Sequence, residues 1–204
     1  MGITQPISLI DLVDTMLEKR LKPVDPYEDY VPIIKTEEGY IVYLTDDIAD
    51  PSLYNKLVHT LETATEDQTI RLVINTGGGD SDTAYMLASF ISQSKATVVG
   101  VATSMTASAG SLILFSCDEI EISPTASVLI HVGSTAFAGK TSDATEYHKY
   151  STKHQKQIYE QIYSCVLSVA EIRKAVSGTE VWLSGEDVQK RLLEKGSKLI
   201  QGGN

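Results

Sequence analysis

The sequence has little of several features that mark specialised classes of protein. It contains two cysteines, Cys117 and Cys165, which are too few for a disulfide framework and favour a reducing, cytoplasmic setting. No apolar run is long enough to cross a membrane, so contact with a membrane is not expected. No segment is rich in lysine and arginine, and the net charge is −10, so a nucleic-acid partner is not expected either.

Sequence signatures of metal and nucleotide sites are also missing. The chain has no H-E-x-x-H, no paired C-x-x-C and no D-x-D-x-D-G, so neither a metal nor another cofactor is predicted. Gly139–Thr141 resembles the end of a Walker loop. The required first glycine of that loop would fall at Ser134, however, so ATP binding by this chain is not expected.

What remains is the composition of a globular domain with a sizeable core, since the 204 residues are 42% hydrophobic and 22% charged. Short apolar runs alternate with helical stretches from residue 40 onward. The predicted strands are Tyr40–Leu44, Ile70–Asn75, Ala96–Ala102, Glu119–Ile122 and Ser127–Ile130. The predicted helices cover 52–64, 81–93 and 108–116. This alternation predicts an α/β fold of repeated βαβ units, with ligands beyond the carboxyl ends of a mainly parallel sheet.

Two further segments flank this pattern. Residues 1–39 combine an amphipathic helix at 7–21 with a proline-bearing linker, and precede the predicted domain at 40–204. That helix either packs on its own domain or serves as a partner-binding arm. A long helix is predicted over about 142–169, as a projecting arm. Its apolar stripe needs cover, from another subunit or from the chain's own sheet.

Two residues at predicted strand ends carry candidate chemistry. Ser108 lies between small neighbours, Ala107, Ala109 and Gly110, which permit a tight turn from strand to helix that exposes its hydroxyl. A serine in this setting is either a nucleophile or the cap of a helix. His131 ends an apolar strand and is either a general base or a strand-edge histidine, since the ordinary histidine pKa suits proton transfer near neutrality.

A glycine turn follows the strand at Ile70–Asn75. Gly77–Gly79 can present backbone N–H groups to a negative oxygen, because no side chain blocks the approach. The anion is either an oxyanion or a phosphate. Asp80 and Asp82 directly after the turn would repel a phosphate, so the oxyanion is favoured.

Taken in order, these segments resemble the proteolytic subunit of the ATP-dependent Clp protease over about residues 40–200. Ile74–Gly79 is similar to the family's Ile-Asn-Ser-Pro-Gly-Gly turn, and Thr106–Gly110 is similar to its Ala-Ala-Ser-Met-Gly nucleophile segment. Pro124–His131 resembles its Leu-Pro-Asn-x-x-Val-Met-Ile-His, and the long helix resembles its handle helix. No single motif is decisive, but their shared order makes chance agreement improbable.

The resemblance implies a crotonase-like fold and a serine endopeptidase. Ser108 would attack the peptide carbonyl, with His131 as the general base. Trp182–Ser184 resembles the Phe-Leu-Ser that follows the family's third triad residue, which gives Glu180 the role of orienting His131. By the same resemblance, the oxyanion hole is the N–H groups of Gly79 and Ala109, and the substrate-binding residues are Gly78, Asp80 and Ser81.

The resemblance also implies an assembly. Clp-type subunits form heptameric rings that stack into a tetradecamer, with handle helices interdigitating between the rings. The active sites then face an inner chamber, and a hexameric ATP-driven unfoldase of the AAA+ class feeds polypeptide substrates into it.

The chain departs from the family pattern at several positions. Glu180 replaces the usual aspartate, and the nearby Asp187 is an alternative orienter. Ala109 replaces a bulkier residue, and residues 1–39 do not resemble the family's usual N-terminal axial loop. These departures suit a phage-borne or specialised relative.

Three alternatives to a chambered protease remain: a capsid-maturation peptidase, a catalytically silent ring subunit and an acyl-coenzyme A enzyme of the crotonase type. The order of serine and histidine disfavours the last of these.

Overall fold

The computed structural model describes residues 30–133, 140–197 and 199–200. The predicted helix at 7–21 and the Walker-like glycine at 139 lie outside the described residues. The strands are β1 Ile33–Lys35, β2 Gly39–Leu44, β3 Thr69–Thr76, β4 Thr97–Ala107, β5 Glu119–Ile122, β6 Ser127–Ile130 and β7 Val181–Ser184. The helices are α1 Asn55–Thr63, α2 Ser81–Gln93, α3 Ala109–Ser116, α4 Thr141–Tyr163, α5 Val169–Val176 and α6 Gly185–Glu194, with a 3₁₀ turn at Pro51–Tyr54.

These seven strands form one mixed sheet in the order β1-β2-β3-β4-β6-β7, with β5 also paired to β4. The central pairs, β2–β3 and β3–β4, are parallel, and so are the pairs of β4 with β5 and β6. Only the outer pairs, β1–β2 and β6–β7, are antiparallel. The predicted α/β architecture with a mainly parallel sheet is confirmed.

Alternation of apolar residues along the strands builds the core. Ile70, Leu72 and Ile74 of β3 are fully buried, whereas the residues between them are partly exposed. α3 is buried from Ala109 to Phe115, which makes it the central helix of the domain. A helix apolar on all sides belongs in the core, so α3 needs cover from both the sheet and its helical neighbours.

β4 is longer than the sequence predicts. It continues beyond Ala102 to Ala107, directly before Ser108. Its first part pairs with β5 and its second part pairs with β6. The intervening residues, Thr103 and Ser104, are polar and exposed, so they interrupt the apolar run on which the sequence prediction rests.

The predicted long helix at 142–169 is divided in the structure. α4 ends at Tyr163, and α5 starts after Ser168. Ser168 and Glu171 form a capping box, which satisfies the free N–H groups of a new helix rather than continuing the old one. The first part of α4 is exposed, including Tyr147 and Tyr150, and its last turns bury Tyr159 and Tyr163 against the domain.

Four elements were not predicted from the sequence, namely β1, β7, α5 and α6. β1 lies within the segment 1–39, and the domain boundary after residue 39 stays a prediction. No helix in the described ranges combines the length and apolar content needed to cross a membrane.

Candidate active site

Ser108 sits at a strained turn between β4 and α3. Its backbone φ of 53° is the only positive value for a non-glycine residue in the described part of the chain, and positive φ is costly for a residue with a Cβ atom. The Ser108 N–H donates to the carbonyl oxygen of Leu129 at 2.9 Å, which ties the turn to β6. Ser108 occupies the N-cap position of α3, but its hydroxyl makes no capping hydrogen bond. Ser108 is therefore the N-cap residue of α3 by position, as one of the two interpretations predicts, but its hydroxyl does not cap the helix.

His131 is the residue directly after β6. Because β4 and β6 are parallel and paired at Ala107 and Leu129, their carboxyl ends deliver Ser108 and His131 to the same edge of the sheet. Both residues line one cavity of about 510 Å³. The structure gives the two side chains no mutual hydrogen bond, although they share this cavity.

Glu180 lies beside His131 because of the β6–β7 register. Ile130 pairs with Val181, so Glu180, one residue earlier, falls opposite His131. Its Oε1 is 3.9 Å from His131 Nδ1, which is longer than a hydrogen bond, and its Oε2 accepts a hydrogen bond from Trp182 Nε1 at 3.0 Å. The two side chains are 28% and 55% exposed, so water screens the attraction between them.

Asp187, the alternative orienter, has a different role in this structure. Its carboxylate accepts hydrogen bonds from the hydroxyl and the N–H of Ser184 at 2.7 and 3.1 Å, within the capping box of α6. These bonds lower the pKa of Asp187. Asp187 therefore stabilises the start of α6, and Glu180 is the carboxylate near His131.

The glycine turn packs against Ser108. Gly78 has φ 111°, and a Cβ added there would lie 2.7 Å from the Cβ of Ser108. Gly79 has φ 139°, and a Cβ added there would overlap the carbonyl oxygen of Ile48. Only glycine fits either position, because the backbone is left-handed and the space is already filled.

Two backbone N–H groups are available at this edge. Ile48 bonds to Gly78 and Asp80 on either side of Gly79, which in a parallel bridge turns the Gly79 N–H away from Ile48. The Ala109 N–H belongs to the first residue of α3, so it has no partner within the helix. Neither group donates to another residue in the described ranges, and both residues line the cavity.

Aromatic side chains that no sequence motif singles out form the far wall of the cavity. Tyr150 stacks on His154 at 5.5 Å, and Tyr85 meets the same imidazole edge-on at 6.4 Å. Burial raises the pKa of Tyr85, and the neighbouring charge of Asp82 raises it further. No lysine or arginine in the described ranges lines the cavity. The spacing of three and four residues along α4 was the available signal for this wall.

Comparison with known proteins identifies the family. A search of curated proteins found no match. The family model described as Clp protease matches residues 32–191, a span that contains the whole sheet and every element of the cavity described above. The chain therefore belongs to the Clp protease family.

Proposed function

We propose that this protein is a serine endopeptidase that hydrolyses unfolded polypeptides with Ser108 as nucleophile, His131 as general base and Glu180 as orienter. The observation that carries the proposal is the position of Ser108, which lines the same cavity as His131. Its backbone is strained, and its hydroxyl makes no capping hydrogen bond to α3. Positive φ at a nucleophile between strand and helix is the geometry of a nucleophile elbow, although the G-x-S-x-G sequence is absent.

In the proposed mechanism, Ser108 Oγ attacks the peptide carbonyl carbon and His131 accepts the hydroxyl proton. Glu180 lies on the Nδ1 side of the imidazole, which leaves Nε2 for Ser108. The N–H groups of Gly79 and Ala109 stabilise the oxyanion of the tetrahedral intermediate. His131 then gives its proton to the leaving amine, and water releases the acyl group by the same steps.

The proposed working form is a ring assembly, since Clp proteases normally assemble into rings. Two stacked heptamers would enclose the sites in a chamber, and an AAA+ unfoldase would supply substrate in the cytoplasm. Tyr147 and Tyr150, which are 45% and 64% exposed on α4, support a contact with another subunit. Light scattering tests this proposal: the mass of a tetradecamer supports it, and a monomer at assay concentration contradicts it.

The third triad position is tested by Glu180→Gln. We expect kcat to fall by about tenfold or more, which is less than for a buried aspartate, because the pair is exposed and not hydrogen-bonded. Asp187→Asn is the matched control: it should lower the melting temperature by weakening the capping box of α6 while leaving kcat unchanged. A normal kcat in Glu180→Gln with a reduced kcat in Asp187→Asn would reverse the assignment.

The charge of the cavity predicts a substrate preference. Peptides with lysine before the scissile bond should be cleaved faster than matched peptides with glutamate there, because Asp82 lines the cavity and no described lysine or arginine does. Asp82→Asn should reduce this ratio about fivefold, the factor that about 1 kcal/mol of Coulomb energy gives. Glu186→Gln is the control, since Glu186 occupies the same position in the first turn of α6, outside the cavity. An unchanged ratio in Asp82→Asn would contradict the preference.

A further inference from the structure

Two tyrosines one turn apart on α4 connect to the backbone of the two candidate catalytic residues. The Tyr159 hydroxyl donates to the carbonyl oxygen of His131 at 2.6 Å. The Tyr163 hydroxyl lies 3.0 Å from Ser111 Oγ, which in turn donates to the carbonyl oxygen of Ser108 at 2.8 Å. Since Ser111 directs its only proton to Ser108, Tyr163 is the donor of the bond between them. We propose that Tyr159 and Tyr163 are positioning residues, which hold His131 and the Ser108 turn in reactive geometry.

Both tyrosines are placed so that water does not compete for these bonds. Tyr159 is 5% exposed, Tyr163 is 1% exposed and Ser111 is fully buried. The two tyrosine rings meet edge-to-face at 5.0 Å, and Tyr163 packs in the same way on Phe115 of α3 at 5.7 Å. Burial raises the pKa of both hydroxyls, so they remain protonated donors wherever a serine peptidase is assayed. A buried hydrogen bond of this kind fixes its acceptor in one orientation.

The bond to Ser108 acts on the candidate oxyanion hole through peptide geometry. The carbonyl of Ser108 and the N–H of Ala109 belong to one planar trans peptide, so they point in opposite directions. Ser111 and the Leu112 N–H, at 2.8 and 3.1 Å, both bind this carbonyl. Holding the carbonyl towards α3 therefore aims the Ala109 N–H away from α3, at the cavity where the oxyanion forms.

The bond to His131 acts where strand pairing stops. The β6–β7 ladder ends with Ile130 opposite Val181, one residue before His131. Beyond that pair, Tyr159 supplies the hydrogen bond to the carbonyl of His131 in the described structure. Fixing this peptide plane restricts the orientations that the His131 side chain can adopt. A small misplacement of a catalytic group costs up to about a hundredfold in rate.

This inference rests on the proposed function, and the test is designed to separate the two. The variants are Tyr159→Phe, Tyr163→Phe, Ser111→Ala and the double variant Tyr163→Phe with Ser111→Ala, all in the full-length assembled protein. We expect each to lower kcat about tenfold with KM unchanged, and to slow fluorophosphonate labelling of Ser108 by a similar factor. The double variant should lose no more than Ser111→Ala alone, because Tyr163 reaches the Ser108 carbonyl only through Ser111.

The control is Thr60→Val, which removes a buried hydroxyl bond to the carbonyl of Lys56 at 2.8 Å in α1, away from the cavity. Its kcat should equal that of the wild type. Wild-type kcat in assembled Tyr159→Phe and Tyr163→Phe would overturn this inference and leave the proposed function standing. A loss of kcat that follows melting temperature, and that also occurs in Thr60→Val, would overturn it in favour of a purely structural role. A wild type that neither cleaves peptides nor reacts at Ser108 would overturn both the proposed function and this inference.

Discussion

Ser108→Ala is expected to lower kcat for a short fluorogenic peptide by about 10⁴-fold or more, with KM little changed. The substitution removes the proposed attacking oxygen and leaves the proposed oxyanion donors and the cavity in place. It keeps the Cβ atom that the turn at φ 53° already accommodates, so the melting temperature should not change. The residual rate should reflect binding and oxyanion stabilisation alone.

Ser104→Ala is the matched control for this variant. Ser104 is an exposed serine of β4, the strand that leads into Ser108, and lies four residues before it. Its loss should leave kcat unchanged. Comparable activity in Ser108→Ala and the wild type would exclude Ser108 as the nucleophile. Loss of activity together with loss of assembly would instead indicate a structural role for this turn.

Gly78→Ala is expected to lower kcat/KM by about a hundredfold while the protein remains folded. The new Cβ would lie 2.7 Å from the Cβ of Ser108 and 3.0 Å from the carbonyl oxygen of Ala107. Real Cβ atoms do not approach another carbon as closely as 2.7 Å, so either the glycine turn or Ser108 must move. Both movements would separate Ser108 from the proposed oxyanion donor at Gly79.

Gly178→Ala isolates the backbone part of this effect. Gly178 also has a positive φ, 94°, but a Cβ there would meet nothing within 4 Å. The variant should therefore lose stability through backbone strain, by about 1 kcal/mol, and keep wild-type kcat/KM. Equal losses of kcat/KM in Gly78→Ala and Gly178→Ala would mean that the effect comes from backbone strain and not from contact with Ser108.

Where the apolar pattern was strong, the fold could be predicted from the sequence. β3, α2, α3, β5 and β6 lie within a residue of the predicted bounds. Buried side chains recur at strand or helix spacing in β3, α2 and β5, and they form continuous apolar runs in α3 and β6. β7 was missed because only Leu183 of its four residues is buried and its partner, β6, is distant in sequence. The division of the long helix had a readable signal in Ser168 and Glu171, the S-x-x-E spacing of a capping box.

The site was predictable only in part, for a physical reason. Ser108, His131 and the glycines follow strand ends, and parallel pairing brings strand ends together without any knowledge of packing. The contacts of Tyr159 with His131 and of Tyr163 with Ser111 span 28 and 52 residues. They depend on how the last turns of α4 lie on α3 and on the residue after β6, and no local sequence pattern encodes that packing.

The measurement that tests the central claim most directly is the site at which a fluorophosphonate modifies the assembled protein, located by mass spectrometry of its peptides. The account predicts a single modified residue, Ser108, with labelling abolished in Ser108→Ala and strongly slowed in His131→Gln. Modification of a different residue, or no modification of a correctly assembled ring, would contradict the claim that Ser108 is an activated nucleophile.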